Sequence, residues 1–98
     1  MDLNIFWTDF AKSELNKIYI FYKQHASIRI AKNETIKIAK ATIRLKKQPE
    51  IGPIEELLKG RSHEFRYLVH QSYKIIYWIN REQNQVEFVD VFHTRQYP

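Results

Sequence analysis

Two amphipathic stretches lie back to back in the first half of the chain, and three short β-rich runs follow in the second half. Ala11, Leu15, Ile18 and Tyr22 recur at intervals of four, three and four residues, which is one face of an α-helix. Phe10, Tyr19 and Phe21 flank that face. Thr8 is a good N-cap, and Asp9 puts a carboxylate at the positive end of the helix dipole. After the break His25-Ala26-Ser27, with Ser27 as a cap, Ala31, Thr35, Ile38, Thr42 and Leu45 repeat at four, three, four and three. So short a connection makes the two helices antiparallel neighbours. The second helix is expected to run to Pro49, because a proline pushes the residue before it out of helical geometry.

Before the first helix, Leu3–Trp7 reads as a strand. Residues 49–63 form a connection punctuated by Gly52, Pro53 and Gly60, with a helical turn around Glu55–Leu58. Glu64–His70, Tyr73–Ile79 and Val86–Phe92 then read as strands, separated too briefly for parallel crossovers and therefore paired as antiparallel hairpins. The expected fold class is α+β in the order β-α-α-β-β-β, as one domain over residues 1–98. The helical hairpin is expected to cover one face of a mainly antiparallel sheet and to leave the opposite face free.

Composition removes several function classes. The chain has 98 residues and no cysteine, which excludes disulfides, thiolate metal sites and a cysteine nucleophile. His25, His63, His70 and His93 show no metal-ligand spacing, so neither metal nor cofactor is expected. Two glycines supply no phosphate-cradling loop, and Ser13, Ser27, Ser62 and Ser72 lack the elbow context of a nucleophile. The Phe, Tyr and Trp residues fit core positions better than a base-stacking platform. No apolar run is long enough to span a membrane, and the start at Met1-Asp2-Leu3-Asn4 has no signal-peptide character, so a cytoplasmic protein is expected.

Charge is uneven. Residues 1–48 carry ten Lys and Arg against four acids, a balance of +6, whereas residues 49–98 stand at −1. Arg29, Lys37, Lys40, Arg44 and Lys47 collect on the polar side of the second helix, which is either a solvated face or a contact for an acidic partner. Ile36 and Ile43, one heptad apart, lie outside the main apolar face and are either a second internal contact or a patch for a partner. In the second half, Arg66, Lys74 and Arg95, with His93 and Tyr97 nearby, are placed to gather on the free sheet face. Such cations repel one another unless an anion or carboxylates sit between them. They either bind phosphate and assist RNA cleavage by the RNA's own 2′-hydroxyl, or pair with Glu55, Glu56, Glu64 and Asp90.

Ordered motifs along the chain resemble the RelE/ParE-type toxins of bacterial type II toxin–antitoxin systems. They are Trp7-Thr8-x-x-Ala11, Leu15-x-x-Ile18-Tyr19, Leu45-x-x-x-Pro49-x-x-Gly52-x-x-x-Glu56-Leu57, Phe65-Arg66-x-Leu68-Val69 and Tyr73-Lys74-Ile75-Ile76-Tyr77. The ending Val91-Phe92-His93-Thr94-Arg95-Gln96-x-Pro98 is similar to the ParE-like branch. The resemblance implies a growth-inhibiting toxin, linked to plasmid stabilisation and neutralised as a heteromer by a cognate antitoxin. For the RNA-cleaving branch, which acts on ribosome-bound mRNA, it implies roles for Arg66, Lys74 and Arg95, with Glu56, His93 and Tyr97 as weaker candidates. Leu68 stands where that branch carries a second lysine, Lys74 replaces an arginine able to bind phosphate bidentately, and Tyr97 is out of register for a late tyrosine. These departures favour the ParE-like branch, whose target is DNA gyrase. For the antitoxin, the expected docking residues are Ile36, Ile43, Lys40 and Arg44, facing an acidic, apolar-periodic segment.

Overall fold

Residues 2–96 are described by a computed structural model, and within them both helical periodicities become helices: α1 over Asp9–His25 and α2 over Ile28–Ala41. Each start is built as the sequence indicates. The Ala11 amide donates to Thr8 Oγ1 at 3.1 Å, and the Ile30 amide donates to Ser27 Oγ at 3.1 Å, satisfying amides that have no partner inside their own helix. Thr8 does more than cap. Its amide and its hydroxyl both donate to the Phe88 carbonyl, at 3.0 and 2.9 Å, so the start of α1 is fixed to the sheet.

The end of α2 differs from expectation. The α-helix stops at Ala41 and the chain tightens into a 3-10 turn over Ile43–Lys46. Thr42 explains the change: its hydroxyl donates to the Ala39 carbonyl at 2.6 Å, and its amide reaches both Ala39 and Lys40 carbonyls. Back-bonding of this kind competes with the regular i to i−4 ladder. The tighter turn still aims Leu45 inward, fully buried, and its end is held where the Leu3 amide donates to the Lys46 carbonyl at 2.9 Å.

Four strands form one sheet in the order β1-β4-β3-β2, with β1 at Asn4–Trp7, β2 at Arg66–His70, β3 at Tyr73–Asn80 and β4 at Gln85–His93. The three C-terminal strands pair as antiparallel hairpins, whereas β1 runs parallel to β4. A register shift between Ile76 and Tyr77 bends the β3–β4 pair. Leu68, Ile75, Tyr77, Val86, Phe88 and Val91 meet Ala11, Ile38 and Leu45 in the main core, and Trp7 stacks on Phe88 with ring centroids 4.7 Å apart. This is the α+β arrangement expected, with two helices on one sheet face.

The other face is not free, contrary to expectation. Residues 49–65 form a strap that pairs with the rim of β2, through the Glu55 amide to the Phe65 carbonyl at 2.8 Å and the Tyr67 amide to the Pro53 carbonyl at 3.1 Å, and its Glu55–Arg61 stretch lies over that face beside Ile76 and Phe92. A 3-10 turn at Glu56–Leu58 lies within it. Ile76, which points to the strap side, is only 4% exposed. Tyr77 anchors the start of the strap: its hydroxyl donates to the Pro49 carbonyl at 2.7 Å and accepts the Gly52 amide at 3.1 Å. A Cβ at position 52 would collide with the Tyr67 carbonyl and sit 2.5 Å from the Tyr77 hydroxyl, so only glycine fits.

Candidate functional site

Strand register decides where the sequence-predicted cations point. Arg66 pairs with Tyr77 and Val69 with Lys74, so alternation sends Arg66 to the helix-covered side with Leu68 and Tyr77, and Lys74 to the strap side. The expected cluster of Arg66, Lys74 and Arg95 on one face is therefore not formed. Arg66 acts as a clamp on the strap: its Nη1 donates to the carbonyls of Gly52 at 2.8 Å and Glu50 at 3.2 Å, and its Nη2 lies 3.4 Å from the Glu64 carboxylate. Lys74 ion-pairs with the buried carboxylate of Glu55 and sits 4.2 Å from the Tyr67 ring centroid. Both cations are thus committed inside the fold.

Arg95 follows β4 in an exposed 3-10 turn and has no ion-pair partner among the described residues. Its amide donates to His93 Nδ1 at 3.2 Å, and the His93 ring stands edge-on to Tyr73. Glu56 is on the surface, paired with Lys59 at 3.1 Å, away from Arg66 and Arg95 in its contacts. Tyr97 lies outside the described residues. Among the described residues three groups have clearly perturbed ionisation, all upward. Burial and the Tyr22 hydroxyl hold the Tyr73 phenol well above its usual range, so it is no base at neutral pH. Burial also raises Tyr77 against the opposing pull of the Gly52 amide. Burial raises the Asp90 carboxyl, partly offset by the Val91 amide, which donates to it at 2.8 Å.

A different constellation appears on α2 and the 3-10 turn that follows it. Ile36 and Ile43 are 49% and 55% exposed, so about half of each apolar side chain is left to solvent. Lys37, Lys40 and Arg44 line a groove closed on its other side by Val69 and His70 of β2, the edge strand. Lys37 pairs with Glu34 at 3.6 Å, whereas Lys40 and Arg44 have no ion-pair partner among the described residues. His70 Nε2 is buried and has no hydrogen-bond partner among the described residues. Sequence reasoning had named Lys40 and Arg44 but missed His70 and Val69, because which strand forms the sheet edge depends on long-range pairing. It also placed the aromatics too uniformly in the core. Phe6, Phe10 and Phe21 are 44%, 57% and 52% exposed, and Trp78 stacks on His63 on the strap side, with ring centroids 3.6 Å apart.

The family model described as "ParE toxin of type II toxin-antitoxin system, parDE" matches residues 5–98. The chain belongs to this toxin family. Solved structures agree on the fold. One from the chromosomal ParDE toxin–antitoxin system of P. aeruginosa aligns with a TM-score of 0.75 at 14% identity, over 93% of this chain and 95% of that one. The RelBE2 toxin–antitoxin complex from Mycobacterium tuberculosis gives 0.64 at 19% identity, over 95% and 92%. A free double arginine-to-alanine mutant of the E. coli toxin RelE gives 0.65 at 17%, over 99% and 88%. No curated protein sequence matches at a significant level. The family assignment therefore fixes the class, a type II toxin, and the solved ParDE, RelBE2 and RelE structures share its fold. Among the described residues, no helix is long and apolar enough to cross a membrane.

Proposed function

We propose that this chain is a cytoplasmic toxin that arrests growth by binding a protein target, DNA gyrase, and that a cognate antitoxin neutralises it. The observation that carries the choice of target is the fate of the two sheet cations. Arg66 and Lys74 leave opposite faces, one bound to backbone carbonyls and the other to a buried carboxylate. A phosphoryl-transfer site needs positive groups aimed at one developing charge, and of the three sequence-predicted cations Arg95, with His93 beside it, is the one without an ion-pair partner among the described residues. A ribosome-dependent endonuclease is the competing reading, and it rests on those two residues.

Induced expression separates the two. Gyrase poisoning is expected to give filamentous cells with DNA-damage signalling and intact transcripts, and the purified chain is expected to inhibit supercoiling by gyrase. Translation arrest with cut transcripts, abolished by Arg95→Ala at unchanged melting temperature, would establish the nuclease instead.

The antitoxin is assigned to α2 and the 3-10 turn that follows it. An acidic segment with apolar residues at helical spacing matches the exposed Ile36 and Ile43, and its carboxylates match Lys40 and Arg44, which have no ion-pair partner among the described residues.

A further inference from the structure

The strap and the sheet enclose a second apolar groove on the side of the molecule opposite the helices. Ile76 of β3 and Phe92 of β4 form its floor, Leu58 and Phe65 of the strap form a wall, and the volume is about 430 Å³. Leu57 stands at the lip and is 87% exposed, a leucine held in water by the Glu56–Leu58 turn. The walls are preformed. The Leu57 amide donates to Glu55 Oε2 at 3.4 Å, the Glu55 carboxylate holds Lys74, and the Glu55 amide bonds to Phe65. A site assembled before its ligand arrives avoids part of the ordering entropy of binding.

The charges around this groove narrow the occupant. Two carboxylates line it with Arg61: Glu55 is buried and neutralised by Lys74, and Asp90 is half-buried and accepts the Val91 amide, so Arg61 is the charge most open to a partner. Arg61 lines the groove, is exposed, and has no ion-pair partner among the described residues. One unpaired guanidinium beside an apolar trough is too little for a polyanion, which needs several cations in register. It suits a protein segment that inserts a large apolar side chain and sets one carboxylate against the arginine.

We infer that the groove lined by Leu57, Leu58, Phe65, Ile76 and Phe92 is the surface by which the toxin grips its protein target, through an amphipathic segment whose acidic residue meets Arg61. This rests on the proposed function and adds the contact face and the chemistry of the segment that fills it. The face is distinct from the α2 surface assigned to the antitoxin, so the two contacts separate by mutation.

Leu57→Asp, Arg61→Ala and Arg61→Glu alter exposed side chains, and melting temperatures are expected to match the wild type. The concentration for half-inhibition of purified gyrase is expected to rise by about tenfold or more for Leu57→Asp and Arg61→Glu, with Arg61→Ala between them and the wild type. Affinity for the purified antitoxin is expected to stay unchanged. Undiminished inhibition by folded Leu57→Asp and Arg61→Glu would overturn the inference. So would an equal loss of antitoxin affinity, which would give the groove to the antitoxin. A wild-type chain that leaves gyrase untouched would bring down the proposed function itself, and this contact with it.

Discussion

Asp90 shows how one side chain is set by its surroundings. Its carboxyl is half-buried and accepts the Val91 amide, yet burial and the nearby Glu14 raise its pKa above the ordinary 3.8, while Lys17 pulls the other way. The folded chain therefore holds this proton more tightly than the unfolded chain does. Stability from this group is complete below about pH 3.8 and falls as pH rises through the raised value. Asn keeps an acceptor for the Val91 amide without the charge. Asp90→Asn is expected to melt above the wild type at pH 7 and together with it at pH 3. Thermal unfolding at the two pH values checks this, and a lower melting temperature at pH 7 would refute it. Gly52 shows the opposite kind of constraint, a position fixed by the backbone and hydroxyl pressed against it rather than by charge.

At the scale of elements, the strap over residues 49–65 depends on Tyr77 from within the core and Arg66 from the start of β2. Arg66 makes charge-assisted hydrogen bonds to two carbonyls that would otherwise lack those donors. Arg66→Ala is expected to destabilise the fold by about 2 kcal/mol, within the range for hydrogen bonds to charged groups, and to speed proteolysis within the strap. Denaturant unfolding and limited proteolysis measure both. Wild-type stability would mean that the arginine is a spare cation available for other work. The motif Phe65-Arg66 was visible in the sequence, but its role was not. An arginine that holds carbonyls and one that holds phosphate have the same spelling, and only the partner segment distinguishes them.

At the scale of the whole molecule, the toxin presents two unlike surfaces. The helix side carries cations and two half-exposed isoleucines, and the strap side carries an apolar groove whose buried acid, Glu55, is paired with Lys74. If the antitoxin binds the helix side, the double variant Ile36→Ser with Ile43→Ser is expected to bind it at least about tenfold more weakly while its melting temperature stays near that of the wild type. Titration calorimetry with the purified antitoxin decides the matter, and an unchanged affinity would move the interface elsewhere.

Local rules in the chain were sufficient for α1, the start of α2, the N-caps of both helices, the three hairpin strands and the packing of the helices on one sheet face, though not for where α2 ends. Periodicity, capping hydroxyls and short connections act between near neighbours and need no knowledge of the rest of the chain. Tertiary structure alone decided that β1 lies parallel against β4, that residues 49–65 fold back over the sheet, and that Arg66 and Lys74 part company. The reason is the two-residue period of a strand. Which face a side chain takes follows from register and from what covers each face, and both are settled by contacts between residues far apart in sequence.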